Sequence, residues 1–85
     1  EKKMSLKETR KRENYTLEEL SLVTDINPKI LGFYESGYRD INGAKLGTLL
    51  TLCEALSCDL EDILTGEVLQ MWQMYKLERE GDNDG

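Results

Sequence analysis

Two helix-opening signals stand close together in the first third of this chain, and the residues that follow each leave room for little except two short helices joined by a tight turn. Thr16-Leu-Glu-Glu19 is a capping box, in which the Thr16 hydroxyl accepts from the amide of Glu19 while the Glu19 carboxylate returns to the amide of Thr16. A helix opened there sets Leu17, Leu20 and Thr24 on one face, with Ser21 a small side chain where another helix can approach, and Asp25 ends it. The second signal follows after Asp25-Ile26. Asn27 can cap a new helix, Pro28 suits its first turn, and Gly37 can take the left-handed conformation that ends it. The two helices are expected over about 16–24 and 27–36.

The flanks extend the helical reading both ways. Residues 6–13 are rich in helix formers, with only Leu6 and Thr9 to face inward, and Asn14 tolerates a left-handed end. Lys7, Lys11 and Arg12 read as a solvated face. After Gly37 a polar loop carries Ile41 and ends on Asn42, a candidate cap for the next helix. There Leu46, Leu49, Leu50, Cys53 and Leu56 recur at spacings of three and four, an apolar stripe over 45–57. Asp59 can cap a short helix over 60–65, with Glu61 and Asp62 in its first turn and Gly66 closing it. A last helical pattern over 67–80 places Val68, Met71, Trp72 and Tyr75 on one face and Gln70, Gln73, Lys76 and Glu80 on the other, while Leu69, Met74 and Leu77 widen the apolar side.

The expected fold is all-α, five helices in residues 1–66 with an additional C-terminal amphipathic helix over 67–80 and a disordered acidic tail at 81–85. A chain of 85 residues buries only about 60% of its unfolded surface. So broad an apolar face, with a Trp and a Tyr, therefore suits either its own small core or the surface of a partner chain.

Charge and residue types narrow the chemistry. The net charge is −6, but residues 1–45 hold nine Lys/Arg against eight Asp/Glu, whereas residues 46–85 hold two against nine. The first half can therefore still face phosphates. The chain has no histidine, which removes the commonest general base, and no Ser or Cys lies in a nucleophile setting. Capping accounts for the acids at 59, 61 and 62. Cys53 and Cys58 lack metal-ligand spacing and read as reduced structural thiols, Cys53 in the core. No enzyme, metal site or cofactor is expected. No apolar run reaches the roughly 18 to 20 residues of a membrane span, and no signal segment opens the chain, so a cytoplasmic protein is expected. The opening Glu1-Lys2-Lys3 marks Met4 as a candidate native start.

In combination these segments resemble the Cro and phage-repressor (XRE-type) helix-turn-helix family over residues 5–65. The stretch 15–21, Tyr-Thr-Leu-Glu-Glu-Leu-Ser, is similar to the family's Leu-Thr-Gln-Glu-Glu-Leu-Ala, and Tyr34-Glu35-Ser36-Gly37 to its Ile-Glu-x-Gly. Residues 49–64 resemble its Leu-x-x-Leu-Ala-x-Ala-Leu-x-Val-x-x-x-Glu-Leu-Leu, and 34–42 resembles a subgroup of small bacterial regulators, some encoded with toxins.

The resemblance implies a transcriptional regulator, a repressor in type, that reads double-stranded DNA with the helix at 27–36 in the major groove. It implies base contacts from Asn27, Pro28, Lys29 and Phe33, phosphate contacts from Thr16, Tyr38, Arg39 and Lys45, and a structural ion pair between Arg10 and Glu35. Leu20, Ile26, Leu31 and Tyr34 would form the core beneath the two helices. Val68, Met71, Trp72 and Tyr75 would form a homodimer or partner surface, and the alternative is an antitoxin or interaction module that covers a toxin or other protein with that helix. Two positions depart from the family: Leu17 replaces a Gln that commonly contacts phosphate, and Asp25 replaces the turn Gly.

Overall fold

The computed structural model describes residues 5–83, with side chains described for 5–79; the expectations for Met4 and for residues 84 and 85 fall outside that range. All described regular structure is helical. Helix α1 (Leu6–Arg12) opens at Ser5, whose hydroxyl accepts from the Glu8 amide, and buries Leu6 and Thr9. The chain leaves α1 through Asn14, at φ +64°. Helix α2 (Leu17–Thr24) carries the capping box: the Glu19 amide donates to the Thr16 hydroxyl at 3.0 Å and the Thr16 amide to the Glu19 carboxylate at 2.9 Å. Leu20 and Thr24 are its buried positions, and Asp25 ends it in the left-handed region. Helix α3 (Pro28–Ser36) runs from the Asn27 cap to Gly37.

Two expectations fail in the next segment. Asn42 does not cap a following helix. It lies in a 3-10 turn (Ile41–Gly43) that is capped by Asp40. Its amide instead clasps a residue 23 positions on, donating to the Thr65 carbonyl and accepting from the Thr65 amide, both at 3.0 Å. Helix α4 (Leu46–Leu56) then opens at Lys45 with no side-chain cap. Its buried stripe is Leu49, Leu52 and Leu56, whereas Leu46 and Leu50 are 62% and 50% exposed. Those two leucines lie about a third of a turn round the helix from the buried line, too far to share it.

The expected helix over 60–65 is a single 3-10 turn (Leu60–Asp62), where the Asp59 carboxylate accepts from Leu60 and the Asp62 carboxylate from Asp59. Both carboxylates are spent on closing that one turn, and Ile63 leaves it at φ −121°, outside the helical range, carrying itself and Leu64 into the core.

Helix α5 (Gly66–Asn83) runs three residues into the stretch expected to be a disordered tail. Its inward line is Leu69, Trp72 and Lys76, spaced three and four apart, so the face expected from Val68, Met71, Trp72 and Tyr75 is rotated. Lys76, expected on the solvent side, reaches back to Asp59 and Glu61, each at 2.7 Å. With its start held by the Asn42–Thr65 clasp and Lys76 held just beyond the end of α4, α5 runs in the same sense as α4. An 18-residue helix measures about 27 Å, and after Lys76 the described side chains Leu77, Glu78 and Arg79 are all exposed.

Candidate nucleic-acid interface

Helix α3 is held by one face and presents the other. Leu31 is fully buried, and Tyr34 packs against the same core. One turn of helix beyond Leu31, the Glu35 carboxylate receives Arg10 of α1 through two parallel bonds, Nε to Oε2 at 2.6 Å and Nη2 to Oε1 at 3.0 Å. The remaining guanidinium nitrogen Nη1 donates to the Tyr15 carbonyl at 2.8 Å. The Glu35 carboxylate holds the Arg10 pKa above its ordinary value, so Arg10 is fully charged and fully engaged in positioning α3. Each of its three nitrogens is committed within the fold, which makes it a positioning residue rather than a phosphate anchor.

The opposite face carries Lys29, Gly32, Phe33 and Ser36. Lys29, in the first turn of the helix, is exposed and forms no ion pair among the described residues. Asn27 is exposed beside it, its Oδ1 taken by the Lys29 amide at 2.8 Å and its NH2 group directed outward as a donor. A Cβ on Gly32 would meet only Leu17 Cδ1, at 3.8 Å. Leu17 therefore lies along this face, and the position where the family carries a phosphate-binding Gln is an apolar flank here.

Sequence reasoning missed the ring contact at the other end of the helix. Phe33 packs against Tyr38 with ring centroids 4.6 Å apart and planes at 43°, a tilted geometry favourable to aromatic pairs. The backbone fixes that fold-back: Gly37 takes φ +86°, the Tyr38 amide donates to the Ser36 hydroxyl, and the Arg39 amide donates to the Phe33 carbonyl at 3.1 Å. Tyr38, assigned to phosphate, thus has its ring committed to Phe33. The usable signal was two aromatics flanking an end glycine.

Three further groups border this face. The Thr16 hydroxyl accepts within its own cap and retains its proton for donation outward. Arg39 is exposed. Lys45 is exposed at the uncapped start of α4, where first-turn amides lack side-chain partners and the helix dipole is positive. Glu18 and Asp25 are exposed nearby in sequence and oppose an anionic ligand.

The face expected to bind a partner through α5 divides. Val68, Met71 and Tyr75 are exposed, but Trp72 packs on the chain's own core with its indole nitrogen buried and without a hydrogen-bond partner among the described residues. Met74 and Leu77 are exposed as well. No described helix is long and apolar enough to cross a membrane, and no described cluster of three or more acids and cysteines could hold a metal.

Residues 6–63 match the family model described as helix-turn-helix. No curated protein and no solved structure matches the chain.

Proposed function

The chain belongs to the XRE-type helix-turn-helix family, a family of DNA-binding regulators, and from that premise we propose that it is a sequence-specific repressor acting as a homodimer. The observation that carries the reading is the division of α3: one face is fixed by Leu31, Tyr34 and the Arg10–Glu35 pair, and the other offers an unpaired Lys29 between donor and apolar groups. Inserted in the major groove, such a helix aims its N-terminal half at base edges. Lys29 Nζ donates to guanine O6 or N7 and the Asn27 NH2 to a base or phosphate acceptor. Pro28 and the Tyr38-backed ring of Phe33 meet thymine methyls. Thr16, the Tyr38 hydroxyl, Arg39 and Lys45 with the open α4 amides take phosphates and set the register.

Dimerisation supplies the second half-site, with the exposed Val68, Met71 and Tyr75 of α5 as the shared surface. The test is selection from a random duplex library with the full chain. The reading expects an inverted repeat with half-sites about 34–36 Å apart, and a Met71→Glu variant that sediments as a monomer and loses the repeat. Recovery of no consensus would refute it.

A second reading is motivated by the breadth of exposed apolar surface on α5 (Met74 and Leu77 besides the three above) and by the acid of residues 46–85. In it, α5 covers a basic protein partner such as a toxin. Co-purification with the product of an adjacent gene, abolished by deleting 67–85, supports this reading. A homodimer that ignores every neighbouring gene product counts against it.

A further inference from the structure

The end of α4 brings together the chain's two cysteines through a backbone motif. Ser57 adopts φ +51°, ψ 50°, its amide donates to the Glu54 carbonyl at 3.4 Å, and the amide of Cys58 reaches the Cys53 carbonyl at 3.0 Å. This pair of bonds is a Schellman cap, which sets the residue two past the helix end against the one three before it, normally two apolar side chains in contact. Here those side chains are thiols. Both are free and half-buried at the edge of the core.

Their spacing follows from the cap. The path from one Cα to the other through the shared N–H···O=C bond is about 7 Å even if drawn straight, and bond angles shorten it towards the roughly 4.4–6.8 Å of a disulfide. The two thiols also perturb each other: burial pushes Cys58 up to about 12, with Cys53 adding to the rise, and burial raises Cys53 as well. Neither thiol is engaged at the α3 face. Asp59, the residue after Cys58, receives Lys76 of α5, so the pair lies at the platform on which α5 is docked.

We propose that Cys53 and Cys58 are a dithiol that closes into an intrachain disulfide by exchange with a low-molecular-weight disulfide. One thiol loses its proton to solvent, and its thiolate attacks a sulfur of the small disulfide, expelling one small thiolate and leaving a mixed disulfide on the protein. The second cysteine, deprotonated in turn, attacks the protein-side sulfur, expels the other small thiolate and closes the ring. Two protein thiols are oxidised, one small disulfide is reduced to two thiols, and the two protons released are taken up by the leaving thiolates. Because both thiols are held protonated, exchange is slow at neutral pH and accelerates about tenfold per pH unit as the thiolate fraction rises.

The test treats the reduced full-length protein with oxidised glutathione at pH 8 to 9 and follows intact mass and free thiols while circular dichroism checks that the helical fold persists. The expected product is a monomer lighter by two hydrogens, roughly 2 Da, with no free thiol, while Cys53→Ser and Cys58→Ser each stop at a glutathione adduct. Stable double adducts on the folded wild type would overturn the proposal. So would disulfide-linked dimers as the main product, or ring closure seen only after unfolding in urea.

Discussion

Replacing Glu35 by Ala should be among the more damaging single changes in this protein, although Glu35 is charged and lies outside the face of α3 that carries Lys29 and Phe33. It removes both acceptors from an Arg10 side chain that is only 12% exposed and leaves the guanidinium with the Tyr15 carbonyl alone. Breaking one side of a buried pair costs about 3–5 kcal/mol, and the little water that reaches Arg10 favours the lower end, about 3 kcal/mol. At about 0.05–0.15 kcal/mol per residue, the whole domain has on the order of 4–13 kcal/mol to lose. The melting temperature should then drop by about 12–24 °C, at roughly 4–8 °C per kcal/mol for a domain this small. Arg10→Met should cost a similar amount, because it strands a carboxylate that is 7% exposed. The double variant Arg10→Met/Glu35→Met should cost no more than either single change, since two apolar side chains restore neutrality and desolvation had offset much of the pair's attraction. Urea unfolding followed by circular dichroism gives all four corners of this cycle. Additive costs in the double variant, or singles below about 1 kcal/mol as for exposed pairs, would refute the reasoning.

Three other perturbations have signs fixed by the structure. Thr9 is fully buried with its hydroxyl unpartnered among the described residues, so Thr9→Val should stabilise by up to about 1 kcal/mol in denaturant melts, removing a desolvated donor at constant shape. Asp25 sits at φ +61°, and Asp25→Gly should relieve part of a strain of about 1–2 kcal/mol, raising the melting temperature while strengthening DNA binding by removing a negative charge. Asp59 has its pKa lowered, first by the hydrogen bond from Lys76. A carboxylate shifted down contributes stability that is present above its ordinary 3.8 and lost as pH falls through the lowered value. Trp72 fluorescence should therefore report loosening of α5 on acidification below about pH 4, and Asp59→Asn should remove that transition.

Helix ends were legible because their determinants are local. Thr16 and Glu19 are three residues apart, and Asn14, Asp25 and Gly37 need only their own φ, so a capping box or a left-handed end can be read without knowing the fold. What was illegible depended on distant partners. Asn42 has the chemistry of a cap, but Thr65 competes for it across 23 residues and wins with two bonds. On α4 the spacing of three and four admits two overlapping stripes, and only the position of α2 and the 3-10 turn selects Leu52 over Leu46 and Leu50. On α5 the inward side follows Leu69 and Trp72, and Lys76 falls in line with them because its two acidic partners lie 15 and 17 residues earlier. In the interface, residue types suggested what could touch DNA, whereas the Phe33–Tyr38 contact needed the Gly37 turn to be seen in three dimensions.

If the outward face of α3 reads base edges through Lys29 while the bordering groups hold phosphates, the two sets of residues respond differently to salt and to sequence. Anisotropy titration of a duplex selected by the protein, at salt from about 50 to 300 mM, compares wild type, Lys29→Ala and Arg39→Ala. Binding by the wild type should weaken steeply with salt. Arg39→Ala should weaken all duplexes alike and reduce the log–log salt slope by about 1. Lys29→Ala should lose about 1–3 kcal/mol on the selected site and its preference at one guanine, with little loss on random DNA. Affinity and base preference unchanged by Lys29→Ala, or no saturable binding at the lowest salt, would contradict that reading of α3.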